Sequence, residues 1–125
     1  MLKKIFKNRI NEIYDKYKDK NTLIADDMAN FLGLESLGVW KVRGNGVLLL
    51  TQEELFFGIW KPKKELSIPV KSINEFTNPK SHLYRSVFKP LLKVIFRNEN
   101  GEKDSAAWYV RNLEKWNEIL NDLIN

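Results

Sequence analysis

The hydrophobic period of this chain changes near its C-terminal end, and that change limits the folds open to it. From Leu37 to Val110, short runs of β-branched and aromatic residues alternate with turn residues. The final stretch instead repeats apolar residues at helical spacing, at Leu113, Trp116, Leu120 and Leu123. We therefore predict a mainly β fold, an antiparallel barrel with one end covered by a C-terminal helix.

Turn residues divide the β-rich stretch into about seven strands. Gly44-Asn45-Gly46 and Asn98-Glu99-Asn100-Gly101 are tight-turn signals, because asparagine and glycine tolerate positive φ. Pro69 cannot donate to a β ladder, so it predicts an edge strand or the end of a strand. The predicted strands cover residues 39–43, 47–51, 55–60, 65–76, 83–88, 91–97 and 106–110.

The flanks of this stretch are predicted to be helical. Residues 1–36 are expected to form an N-terminal helical extension and residues 37–125 the barrel domain. Between Leu23 and Leu34 the pattern is ambiguous, and one interpretation is a short helix capped by Asp26 and stopped by Gly33. Asn112 is the predicted N-cap of the last helix. The apolar stripe of the first helix comprises Leu2, Ile5, Phe6, Ile10, Ile13, Tyr14 and Tyr17.

The composition argues against an enzyme and against a bound metal or cofactor. The 125-residue chain has no cysteine and a single histidine, His82, so thiolate sites and a typical zinc site are excluded. His82 is interpreted as a surface or partly buried loop residue, and the adjacent Glu53 and Glu54 as turn residues. No apolar run approaches the ~20 residues of a membrane span. We expect a cytoplasmic, non-enzymatic protein.

The positive charge is concentrated at the N-terminus. The net charge is +5, and residues 1–20 hold seven basic and three acidic residues, which gives +4. The remaining residues hold fourteen basic and thirteen acidic residues, which gives +1. A nucleic-acid-binding body needs a concentrated basic face, so no nucleic-acid partner is expected.

Residues 37–124 resemble a pleckstrin-homology-like domain of the GRAM and bacterial PH type. The resemblance is carried by Gly46-Val47-Leu48-Leu49-Leu50-Thr51 with Leu55-Phe56-Phe57, by Leu66-Ser67-Ile68-Pro69-Val70 with Ile73, by Leu92-Lys93-Val94-Ile95-Phe96, and by Trp108-Tyr109-Val110 before Trp116. It implies two nearly orthogonal sheets capped by the helix, and a role in binding lipid or protein. Lipid-binding members carry several basic residues around the first strand pair. This chain offers only Lys41 and Arg43 there, so no lipid pocket is carried over.

The first functional hypothesis is protein–protein interaction or scaffolding. An extended peptide or helix would lie along an open strand edge beside the capping helix, as in phosphotyrosine-binding domains. The candidate edge consists of Pro69, Val70, Lys71, Ser72 and Ile73.

The alternative hypothesis is peripheral binding to anionic lipid at the inner face of the membrane. The basic amphipathic N-terminal helix would lie on the membrane surface, and Trp60 would enter the interface. The opposing interpretation is that the apolar stripe packs on the barrel or on a second copy of the chain, which would give a homo-oligomer. A small-molecule carrier ranks third. The candidate anion contacts are Lys3, Lys4, Lys7, Arg9, Lys61, Lys63 and Lys64.

Overall fold

The computed structural model describes residues 6–37, 44–60, 64–83 and 87–125. Seven strands and two α-helices lie within these ranges, together with 3₁₀ turns at Glu35–Leu37 and Val70–Ser72. The helices and strands are, in chain order, α1 (Lys7–Lys16), β1 (Thr22–Leu34), β2 (Gly44–Thr51), β3 (Glu54–Ile59), β4 (Glu65–Pro69), β5 (Ile73–Thr77), β6 (Leu92–Arg97), β7 (Lys103–Tyr109) and α2 (Leu113–Ile124).

The strands form one antiparallel sheet in the order β4-β3-β2-β1-β7-β6-β5. This confirms the mainly β fold with an N-terminal and a C-terminal helix. The sheet is not closed, because in the described part of the chain β4 pairs only with β3 and β5 only with β6. The two ends of the sheet are therefore free edges, joined in sequence by the short turn at Val70–Ser72.

The main core lies on one face of the sheet and includes the inner side of α2. Trp108 is fully buried, and Trp116 and Leu120 of α2 join the same apolar cluster. Leu113 and Leu123 are partly buried against it. The four residues predicted to form the structural cap therefore all contact the core, as their helical spacing indicated.

The N-terminal helix α1 packs on the opposite face of the sheet, over β2 and β3. Ile10, Ile13 and Tyr17 form a second buried cluster with residues of these strands. Gly58 allows the close approach, because a Cβ added there would lie 2.5 Å from Ile13 Cδ1. The described part of the apolar stripe is therefore covered by the protein's own sheet. The second buried cluster is completed by Val47, Leu49, Phe56 and Trp60.

The interpretation of the segment at Asp26 as a short helix is wrong, since residues 22–34 form the central strand β1. β1 pairs with both β2 and β7, and it begins on the N-terminal side of the boundary predicted at residues 36 and 37. Register shifts between Asp26 and Ala29 and between Phe31 and Gly33 interrupt the alternation that marks a strand in sequence. Pairing with β2 at Asp26, and with both β2 and β7 at Asn30, overrides the weak strand propensity of Asp and Asn.

Three other predictions on local structure are corrected or fall outside the described residues. Gly44-Asn45-Gly46 is not a turn, because these residues pair with β1 as the start of β2. Leu83 and Phe88 have φ values of 51° and 60° and lie outside any strand. The strand predicted at 39–43 lies outside the described residues.

Two predicted turns or caps are found where they were expected. The turn at Asn98 is confirmed, with Asn98 N–H donating to Glu102 O at 2.8 Å. Asn112 occupies the N-cap position of α2, but in a left-handed conformation and without a capping bond from its side chain.

The packing of α1 makes a testable prediction about stability. Ile13→Ala should lower the free energy of unfolding by about 2–5 kcal/mol, because it leaves a cavity between α1 and the sheet. Asn11→Ala, at an exposed position of the same helix, is the matched control. Urea denaturation of both variants measures the difference. Equal stability of the two variants would contradict the docking of α1.

Candidate functional site at the open sheet edge

The segment predicted as a peptide-binding edge forms the corner between the two edge strands. Pro69 ends β4, Ile73 begins β5, and a 3₁₀ turn joins them. Val70 N–H donates to Glu53 O at 2.9 Å, and Ile73 N–H donates to Val70 O. The N–H groups of Val70 and Ile73 are thus used at the corner, so the free edge of β5 begins after Ile73.

One pocket lies where β5 meets the C-terminal end of α2. It has a volume of about 470 Å³, with apolar walls from Val70, Ile73, Leu123 and Ile124. Lys71 contributes to its polar rim, so three of the five predicted edge residues line it. We call it the α2 pocket; it is lined by Gln52, Glu53, Val70, Lys71, Ile73, Leu123 and Ile124.

A second pocket, of about 590 Å³, lies between β4 and the turn that joins β6 to β7. Pro69 and Ser72, the other two predicted edge residues, line this hairpin pocket. Asp104 on its wall is 2% exposed and accepts hydrogen bonds from the backbone N–H groups of Ser36 and Ser105. The Asp104 carboxylate therefore satisfies backbone donors of the protein itself.

The five residues of the predicted edge are thus divided between two pockets: Val70, Lys71 and Ile73 line the α2 pocket, and Pro69 and Ser72 line the hairpin pocket.

Amide side chains fasten α2 to the end of β5. Asn78 Nδ2 donates to Asn117 Oδ1 at 3.1 Å, and Asn117 Nδ2 donates back to Asn78 Oδ1 at 3.0 Å. Asn78 Nδ2 also donates to Leu91 O at 2.9 Å. This arrangement holds α2 alongside the free edge of β5, so strand edge, helix and α2 pocket form one groove. We call it the β5–α2 groove.

The predicted anion contacts do not form one patch among the described residues. Lys7 and Lys64 are exposed, whereas Arg9 is only 8% exposed. Arg9 Nε donates to Ile59 O at 3.1 Å, and Arg9 Nη1 lies 2.7 Å from Glu12 and donates to it. The prediction for Arg9 is therefore wrong, since its guanidinium joins α1 to β3. Lys3, Lys4, Lys61 and Lys63 lie outside the described residues.

The two single-residue expectations for His82 and Trp60 have different outcomes. His82 is 3% exposed, and its Nε2 donates to Gly33 O at 3.0 Å, so the expected loop histidine is instead buried against β1. Trp60 is 5% exposed and stacks on Phe6 with ring centroids 5.1 Å apart. Its ring is therefore packed against the N-terminal end of α1, and this burial contradicts the expectation of an exposed ring at a membrane interface.

Burial perturbs the ionisation of one tyrosine in this second cluster. Tyr17 packs on Phe56 with centroids 4.9 Å apart. Desolvation by burial raises the pKa of Tyr17, and hydrogen bonding to Glu54 raises it further. The phenol is therefore held neutral, which suits a buried packing residue.

Sequence reasoning missed an ion pair that joins β1 to the start of α2, between the buried carboxylate of Asp26 and the exposed side chain of Arg111. Asp26 is 2% exposed and accepts hydrogen bonds from Met28 N–H, from Arg111 N–H at 2.7 Å, and from the Arg111 guanidinium at 2.9 and 3.1 Å. The hydrogen bond to Asp26 raises the pKa of Arg111. The partners lie 85 residues apart, so no local pattern could reveal them. The pair fixes the junction from which α2 begins.

Comparison with known proteins identifies the fold but no family. No protein-family model matches the chain, and no curated protein matches it. A chain in a structure described as the 8S snRNP assembly intermediate has a similar fold, with a TM-score of 0.61 and 12% identity over 82% of this chain and 81% of that chain. The C-terminal domain of an unknown protein from Leishmania infantum has a TM-score of 0.60 and 11% identity, over 95% of this chain and 98% of that chain. Similarity at this level of identity shows the fold alone.

Across the described ranges, neither helix has the length and apolar character needed to cross a membrane. The same residues contain no group of three or more His, Asp or Glu side chains placed to hold a metal ion.

The ion pair between Asp26 and Arg111 makes a prediction about stability. Arg111→Ala should cost about 1–3 kcal/mol, because Asp26 loses its guanidinium partner while it keeps two backbone donors. Lys103→Ala, at an exposed position of β7, is the control. Thermal unfolding of both variants tests this. The assignment fails if Arg111→Ala is no less stable than the control.

Proposed function

We propose that this chain is a non-enzymatic binding module of the pleckstrin-homology-like type, which docks an extended segment of a protein partner along β5 beside α2. The observation that carries the proposal is the free edge of β5 next to the α2 pocket. An edge strand presents a row of backbone N–H and C=O groups that another strand can pair with. Adding a strand to such an edge is a recurrent mode of peptide recognition.

The geometry of the groove supplies both parts of such recognition. Main-chain pairing along β5 would give affinity without dependence on sequence, and a pocket for one side chain would give specificity. The α2 pocket has apolar walls from Ile73, Leu123 and Ile124 with a polar rim, the usual chemistry of a ligand site. An apolar side chain of the partner would fill it.

The pleckstrin-homology-like assignment is supported by the helix that covers the core. The resemblance implied two nearly orthogonal sheets capped by a helix; the described strands form one open seven-stranded sheet, and α2 covers the core with Trp116. The proposal also keeps the cytoplasmic location expected of a cysteine-free sequence.

Binding to anionic lipid has less support than binding to a peptide. The hypothesis relied on the apolar stripe of α1 entering the membrane, but Ile10 and Ile13 are 4% and 1% exposed. Arg9 is likewise buried. Lys7 and Lys64 are exposed, so an electrostatic contact through them stays a prediction. Within the described residues, the same burial leaves little of the stripe's apolar surface for contact with a second copy of the chain.

A neutral strand-forming peptide tests the proposal. Addition of a synthetic peptide of alternating valine and threonine with uncharged polar ends to the isotope-labelled full chain should shift the NMR signals of β5 and of the end of α2. Ile124→Lys should weaken binding about tenfold or more, because it places an ammonium group in the α2 pocket.

The control keeps the same helix and the same chemical change. Ile119→Lys also replaces a partly buried isoleucine of α2, but Ile119 does not line the α2 pocket. We expect Ile119→Lys to bind like the unchanged chain when both variants retain their circular dichroism spectra. Absence of shifts at β5, or an equal loss in both variants, would contradict strand addition at this groove.

A further inference from the structure

Asparagine side chains form a row along α2. Asn117, Asn121 and Asn125 are spaced four residues apart, so they are neighbours along one side of the helix. Asn117 pairs with Asn78 at the end of β5, which places the start of the row at the β5–α2 groove. Asn125 Nδ2 donates to Asn121 Oδ1 at 2.6 Å. A carboxamide both donates and accepts, so Asn121 and Asn125 can exchange the bond between them for bonds to an extended main chain.

Acidic side chains form a parallel row beside the asparagines. Glu114, Glu118 and Asp122 are also four residues apart, and all three are exposed. Lys115 is the single basic residue of α2, and its Nζ lies 3.9 Å from Glu118. With three acidic residues and one basic residue, α2 carries a charge of −2.

The groove therefore has a charge opposite to that of the whole protein. β5 contributes the exposed Glu75, so the two elements that frame the groove carry −3 together. The charges of Glu53 and Lys71, which line the α2 pocket, cancel each other. The whole chain carries +5. The partner segment that complements this surface is basic.

We propose that the β5–α2 groove binds an extended protein segment that carries lysine or arginine residues next to its apolar anchor. This rests on the proposed function and specifies the class of its partner. Alternate side chains of a strand point to opposite sides. The apolar side chain enters the α2 pocket, while neighbouring basic side chains reach Glu75 and the acidic row. The main chain pairs with β5 and with the side chains of Asn121 and Asn125.

Two peptides with the same core and opposite end charges test the charge preference. Each has the same alternating valine and threonine core, and one has lysines at both ends while the other has glutamates. At low salt, the full chain should bind the lysine-ended peptide about tenfold more tightly, because several exposed ion pairs each contribute modestly. The ratio should fall as salt is added, because these charges are exposed.

A variant that removes negative charge from α2 tests whether the acidic row causes the preference for the lysine-ended peptide. The double substitution Glu118→Gln with Asp122→Asn should reduce the lysine preference several-fold and leave the NMR shifts at β5 in place. Glu102→Gln, at an exposed position in the turn between β6 and β7, should keep the full preference.

The outcomes separate this inference from the proposed function. If both peptides bind at β5 with equal affinity, or if the control loses as much preference as the double variant, the inference is overturned and strand addition still stands. If neither charged peptide nor the neutral peptide binds, both are overturned. A lysine preference that depends on Glu118 and Asp122 supports the inference.

Discussion

Among the described residues, no strand pairs with the outer side of β5, and the functional interpretation of the rest of the structure depends on this open edge. Backbone N–H and C=O groups at a sheet edge must be met by water or by another chain. Two features make the other edge strand, β4, a poorer template for pairing with a partner strand. Pro69 at its end lacks a donor, and Glu65 at its start lies 3.2 Å from Lys16 and 3.6 Å from Arg9 of α1. β5 has no proline and lies instead beside α2.

The two helices give the two faces of the sheet different roles. α1 covers the outer face of β2 and β3 with Ile13 and Tyr17, which removes an apolar surface that a membrane or a second copy could have used. α2 covers the core with Trp116 and leaves a pocket where its last turn meets β5. The Asp26–Arg111 and Asn78–Asn117 contacts hold α2 at its start and along β5, so the groove is set before any partner binds.

The sequence predicted those elements whose signals are local. β2, β3, β6 and α2 have continuous apolar runs or clear helical spacing, and Trp116 and Leu120 followed from it. β1 was missed because its bulges interrupt the alternation of apolar and polar residues.

Val70, Lys71 and Ile73 were placed near the site because Pro69 marks a strand end, but no pattern in the sequence showed that Ile124 would line the same pocket. The buried position of Arg9 depends on Ile59 O, 50 residues away, and is therefore a property of the fold.

Amide hydrogen exchange at β5 tests the central claim most directly. In the free full chain, amides on the outer side of β5 should exchange faster than those of β6, which pairs on both sides. A saturating strand-forming peptide should slow the exchange of those β5 amides and leave β4 unchanged. Slow exchange throughout β5 in the free chain, or protection of β4 instead, would contradict the account.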